Sequence, residues 1–282
     1  MKLVKVQHFR MKTIQKSVFG IPGKKLKNGC GILFLFLGIL SFFVCLLQAF
    51  GQDIWFDEVF SVNFIQHSYK EIAVLTGKDV HPPLYYWYLK LFHDIGKVLV
   101  PAASSIVLCK LASMLPFVGI FVYTLTAIRK NFGLHIAGLF WFLIMTMPQI
   151  SNYTVEIRMY ALALFFITAA FVHSCELVRA FPVQEVSEAE GAAEPEAAGS
   201  EVTSGAVLTS GSVTGENGLI KWWKRNKHWL LFWVYGILTA YTQYYACVAV
   251  IAIYIALFVF FVVMAHKGKT EKPFCKKAHI HK

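Results

Sequence analysis

Apolar residues run in long unbroken blocks separated by short charged stretches, and the block lengths decide the first expectation. A membrane-crossing helix needs about 20 mainly apolar residues. Cys30–Phe50, Ile106–Ile128, Phe132–Pro148 and Met159–Leu177 each approach or meet that length, and Trp229–Ala265 is long enough for two passes with a turn at Tyr241–Tyr245. Leu84–Val100 breaks the pattern, because Lys90, His93, Asp94 and Lys97 interrupt it. One charge at mid-bilayer costs roughly 2.5–3.5 kcal/mol on insertion scales, so this stretch is expected to lie along the interface. Its aromatic residues Tyr85, Tyr86, Trp87, Tyr88 and Phe92 suit headgroup depth, and Pro82 and Pro83 start it. The expected fold is all-α and polytopic, with six transmembrane helices and one interfacial helix in the first external loop.

Composition agrees with a membrane protein and excludes an ordinary soluble domain, since 57% of the 282 residues are apolar and 16% aromatic. The net charge of +11 does not indicate nucleic acid, because the basic residues punctuate the apolar blocks instead of forming one patch. They report topology. The first 29 residues hold eight Lys or Arg and no acid, and the next apolar run is too long for a signal-peptide core and has no small-residue cleavage site. Both termini are therefore expected in the cytoplasm of a cell-membrane protein. On that assignment 21 of the 27 Lys and Arg are cytoplasmic, the exceptions being Lys70, Lys78, Lys90, Lys97, Lys110 and Arg158.

The expected organisation is a basic tail at 1–29, a membrane part at 30–180 with its first external loop at 51–105, a linker at 181–220, a two-helix hairpin at 221–265 and a basic tail at 266–282. The linker has seven Glu and no basic residue between Phe181 and Leu219, a composition that cannot bury enough apolar surface to order itself. Six cysteines without CxxC spacing suggest neither a disulfide framework nor a zinc site.

The chemistry-bearing residues concentrate at one side of this scheme. Trp55-Phe56-Asp57-Glu58 places two adjacent acids directly after the first span, and Asp79-Val80-His81-Pro82-Pro83 holds an imidazole at the mouth of the interfacial helix. Asp79 is either a partner for His81 or a turn residue. Glu156-Ile157-Arg158-Met159-Tyr160 puts an acid and a guanidinium at the start of the fourth span. For Asp57 and Glu58 the plainer role is that of first-turn acids in a helix beginning near Val59. Glu156 and Arg158 have a plainer role too, a self-neutralising interfacial pair.

In their order along the chain, the acidic pair, His81-Pro82-Pro83-Leu84-Tyr85-Tyr86, the span ending in Arg129-Lys130, Glu156-Ile157-Arg158-Met159-Tyr160 and Tyr241-Thr242-Gln243-Tyr244-Tyr245 resemble the C-type (GT-C) membrane glycosyltransferases of the protein-mannosyltransferase-like, family 39-like kind. The likeness runs from about Ile32 to Met264, and such enzymes usually continue through further spans. It implies a sugar carried on a polyprenyl phosphate and transferred at the outer membrane face to a hydroxyl of a glycan, lipid or protein. Asp57 would be the catalytic base, with Glu58 second. His81, Lys110, Glu156 and Arg158 would hold the donor phosphate, with Asp79, Lys78, Tyr160 and Gln243 as secondary candidates.

Two positions depart from the pattern. Lys110 stands where relatives usually have arginine, keeping the charge and losing the planar fork, and Gln243 replaces a histidine. No cofactor is expected; Asp57, Glu58 and Glu156 are the hard-oxygen ligands that Mg²⁺ or Mn²⁺ would use, but no local spacing calls for a metal. The rival readings are a truncated non-catalytic relative that binds lipid-linked sugar, and a transporter or flippase, which would place its charges at mid-membrane.

Overall fold

The computed structural model describes residues 23–51, 53–79, 81–181 and 218–270. Most of the two basic tails and of the linker expected at 181–220 lies outside the described residues. Among the described residues the fold is entirely helical, with eleven α-helices and one π-helical turn.

α1 (Lys24–Gly51) is followed by three short helices, α2 (Phe56–Phe64), α3 (Tyr69–Thr76) and α4 (Leu84–Leu99). The segment expected to hold one interfacial helix therefore holds three. α5 (Ser105–Tyr123) continues through the π turn Thr124–Ile128 into α6 (Arg129–Phe132). α7 (Leu134–Thr146) and α8 (Ile150–Val155) lead to α9 (Tyr160–Ala180), and α10 (Gly218–Thr242) and α11 (Ala246–Thr270) form the final hairpin. The turn between them, Gln243 to Tyr245, falls inside the stretch expected from sequence.

Four helical stretches are long and apolar enough to cross a membrane, Lys25–Gly51, Ser105–Phe132, Tyr160–Ala180 and Ala246–His266, consistent with a helical membrane protein. α7 has 13 residues, about 20 Å at ~1.5 Å per residue, against a hydrocarbon core of ~30 Å. α10 is longer, but its first third is basic and its apolar run starts only at Trp229.

α1 and α7 pack most extensively, and glycine permits it. A Cβ on Gly138 would overlap the Gly31 carbonyl, and one on Gly31 would lie 2.7 Å from the His135 Cα, so the two backbones meet directly. In α5, Pro116 cannot donate to the carbonyl four residues back, that of Ala112. The Tyr88 hydroxyl of α4 takes that acceptor at 2.6 Å, which ties α4 to α5 at the gap the proline leaves.

The charges of α4 are likewise satisfied locally: Lys90 donates to the Ile65 carbonyl at 3.1 Å and pairs with Asp94 at 3.2 Å, and Lys97 donates to the Ala103 carbonyl at 2.7 Å. Two cores hold the segment that leads into α9. One gathers Phe64, Ile72, Tyr85, Tyr86, Leu89, Ile157 and Met159 from α2 to α4 and the start of α9, and the other gathers Cys45, Phe117, Trp141, Met145, Val155 and Ala161. Residues 155–161 straddle both.

Candidate functional site

The segment between α8 and α9 alternates. Val155, Ile157 and Met159 are each at most 1% exposed and anchor it in the two cores, which leaves Glu156 and Arg158 to project elsewhere. They project toward the first turn of α2. Arg158 Nη2 lies 3.6 Å from Asp57 Oδ2, so two residues 101 positions apart form an ion pair. The Arg158 side chain is 10% exposed and that of Asp57 46%, so the guanidinium forms the floor and the carboxylate the open rim.

Glu58 takes up the plainer of its two expected roles, that of a first-turn acid. Its Oε2 accepts from the Trp55 N–H at 3.2 Å, capping α2, and its Oε1 accepts from the Ile157 N–H at 2.9 Å. With both oxygens engaged by backbone amides and 4% exposure, it staples residues 156–158 onto α2 and thereby sets the Asp57–Arg158 distance. The helix starts at Phe56, three residues before the start expected near Val59. For Glu58 the first-turn role is what the geometry shows.

Glu156 is buried, and its carboxyl is raised above the ordinary range by that burial first and then by the neighbouring Glu58 carboxylate, against the pull of Arg158. The Arg158 Nε and the Tyr86 hydroxyl are both buried without a hydrogen-bond partner among the described residues. The Tyr86 hydroxyl feels the charges of Arg158, Asp79 and Asp57, and burial pushes it up to about 12, so it stays protonated and a donor. Tyr86 belongs to the proline-tyrosine motif, but the motif alone gave it no role.

His81 Nδ1 lies 3.3 Å from Asp79 Oδ2, which identifies Asp79 as its partner. His81, Tyr160 and Gln243 line one cavity of about 600 Å³ together with Phe117, Leu164, Ile167 and Tyr245, an apolar groove running along α9 from its first turn. Tyr160 also lies against Arg158, whose guanidinium carbon is 5.9 Å from its ring centroid. A smaller cleft of about 250 Å³ is lined by Asp53, Ile54, Trp55, Glu58, Asn152 and Glu156. Asp53 and Asn152 carried no motif signal, and Trp55 entered only as the residue that opens the acidic motif.

Lys110 is 1% exposed within α5 and, like Asp57 and Arg158, lines neither of these cavities, and Lys78 is exposed in the turn after α3. Among the described residues no three His, Cys, Asp or Glu side chains converge as metal ligands do. No protein-family model, curated protein or solved structure matches this chain.

Proposed function

We propose that the protein is a six-span glycosyltransferase of the cell membrane that moves a sugar from a polyprenyl-phosphate donor to an acceptor hydroxyl at the outer face. The supporting observation is the Asp57–Arg158 pair and its link to the apolar groove through Tyr160, which lines the groove and whose ring lies 5.9 Å from the Arg158 guanidinium carbon. The groove suits an isoprenoid chain, and its polar end presents the donors a lipid phosphate needs. At 3.6 Å the pair is looser than the ~2.7–2.9 Å of a tight charge-assisted bond. An incoming phosphate therefore competes for the guanidinium, and the free Nε and the Tyr86 hydroxyl supply further donors as the leaving group gains charge.

Asp57, released from Arg158 and facing solvent, takes the proton of the acceptor hydroxyl. The acceptor oxygen then bonds to the anomeric carbon as the bond from that carbon to the phosphate oxygen breaks, with inversion and without a covalent enzyme intermediate. The smaller cleft beside Glu156 is where the acceptor approaches. Lys110, buried within α5, is assigned no part in this reading.

The test uses the full chain in lipid nanodiscs with polyprenyl-phosphate sugars. Donor should raise the melting temperature, and acceptor should release polyprenyl phosphate. Absence of any donor-induced shift rejects the reading; a shift without release favours the non-catalytic lipid-sugar binder.

A further inference from the structure

About 20 Å along α9 from Tyr160, at ~1.5 Å per residue, a second polar cluster joins three helices. His173 of α9 meets His228 of α10 with the two Nδ1 atoms 3.0 Å apart. His173 Nε2 is 3.2 Å from the Tyr123 hydroxyl of α5, and Tyr123 donates to the Tyr235 hydroxyl of α10 at 3.3 Å. Tyr235 stacks on His173, centroids 5.7 Å apart and planes 7° from parallel.

The hydrogens can be counted. Tyr123 has one, given to Tyr235, so His173 Nε2 is the donor to Tyr123 and His173 Nδ1 is an acceptor. His228 therefore donates from Nδ1. The chain of bonds ends at Tyr235, whose ring is packed by Phe165 and Phe166, so it reads as a fastening between helices and not as a path through them.

We propose that this network is a proton-controlled clamp seating α10 on α5 and α9, released when a second proton enters the imidazole pair. A first proton, on His228 Nε2, leaves the Nδ1–H donor in place and makes it charge-assisted. A second must go to His173 Nδ1, which removes the only acceptor and sets two N–H groups and two positive charges face to face. The charges of Glu176 of α9 and Lys227 of α10 act on both imidazoles, and that of Lys130 of α6 acts on His228. Glu176, itself paired with Lys130 at 3.8 Å and accepting from Asn131 at 2.9 Å, favours protonation of the pair, and the two lysines oppose it.

The clamp holds at neutral pH and through the first protonation, and it is lost as pH falls through the second. Because α10 ends just before Gln243, and Tyr245 and Ala246 come after it, release would also loosen one wall of the groove. This inference does not depend on the glycosyltransferase reading.

Amide hydrogen exchange on the full chain in nanodiscs tests it, comparing protection of residues 229–246 with that of α1 at pH 7.5 and pH 5.0, each corrected for intrinsic exchange. The ratio should fall at least about 10-fold at pH 5.0 in the wild type, a change of ~1.4 kcal/mol or more. His228→Asn, whose carboxamide keeps a donor where Nδ1 stood and cannot be protonated, should abolish the fall. An unchanged wild-type ratio overturns the proposal, and so does a fall of equal size in His228→Asn, which would assign the effect to Glu176. Should that variant not fold, the wild-type comparison decides alone.

Discussion

α9 carries a buried polar cluster near each end, and the two are satisfied differently. At the Tyr123 end the donors and acceptors of His228, His173, Tyr123 and Tyr235 close on one another. At the Asp57 end the ion pair is long, and the Arg158 Nε and the Tyr86 hydroxyl are left over. Gln48 Oε1 and Trp141 Nε1 are also without partners among the described residues, on α1 and α7, and neither residue has an ion pair. An unpaired buried donor costs about 1–3 kcal/mol, so a fold retains two of them beside a loose ion pair where a ligand completes the set. A closed cluster fastens; an open one receives.

The largest effect should come from removing the base at the open end. Asp57→Asn keeps the side chain's shape and should lower turnover by about 100- to 10,000-fold while leaving donor-induced melting shifts nearly unchanged. Turnover equal to wild type would leave the open cluster a binding site only. Arg158→Lys comes next. A lysine keeps the charge but cannot bond phosphate with a planar fork, so donor affinity, read by the melting shift against donor concentration, should weaken by roughly 10- to 100-fold, the loss of one charge-assisted bond of about 1.5–3 kcal/mol.

The comparison itself is sharpened by removing one hydroxyl from each end. Tyr123→Phe deletes the centre of the closed network and strands the His173 Nε2–H and the Tyr235 hydroxyl, so stability should fall by about 1–3 kcal/mol with donor affinity unchanged. Tyr86→Phe removes a hydroxyl that has no partner among the described residues, so the empty protein should melt no lower, yet the stabilisation by donor should shrink. Reversal of these two outcomes, read from melting curves with and without donor, would mean that the two ends have been assigned the wrong way round.

Much of the open end was legible because it rests on local motifs. The acids after the first span, the histidine before two prolines and the Glu-x-Arg segment each announce themselves, and their order implied that Asp57 and Arg158 meet. Glu58 shows where that stops. Its neighbour's chemistry suggested catalysis, but its burial and its bond to the Ile157 amide depend on a segment 99 residues away, which no local pattern encodes.

The closed end was not legible at all. His173 is a single histidine in an apolar run and His228 stands at the end of the basic stretch before Trp229, each indistinguishable from a solvated or core residue until packing brings α10 against α9. The span count is a third case. The hydrophobic pattern located the long helices, but α7 is shorter than its block at Phe132–Pro148, and α10 has only Trp229–Thr242 as its apolar part, as its half of the hairpin block implied.

The smallest effect concerns the acid that the open end keeps buried. Burial raises the Glu156 carboxyl above the ordinary 4.5, so between that value and the raised one the folded chain binds more protons than the unfolded chain. Stability accordingly falls as pH rises through that window and stays lower above it. Glu156→Gln keeps an acceptor for the Trp55 indole and removes the charge. It should melt about 1–2 °C higher than wild type at pH 7.5, the shift expected of ~0.5 kcal/mol in a chain of this size. The gap should close as pH is lowered toward 4. A gap of opposite sign would mean that Glu156 is held as a stabilised carboxylate by Arg158, and the Asp57 end would then be as closed as the other.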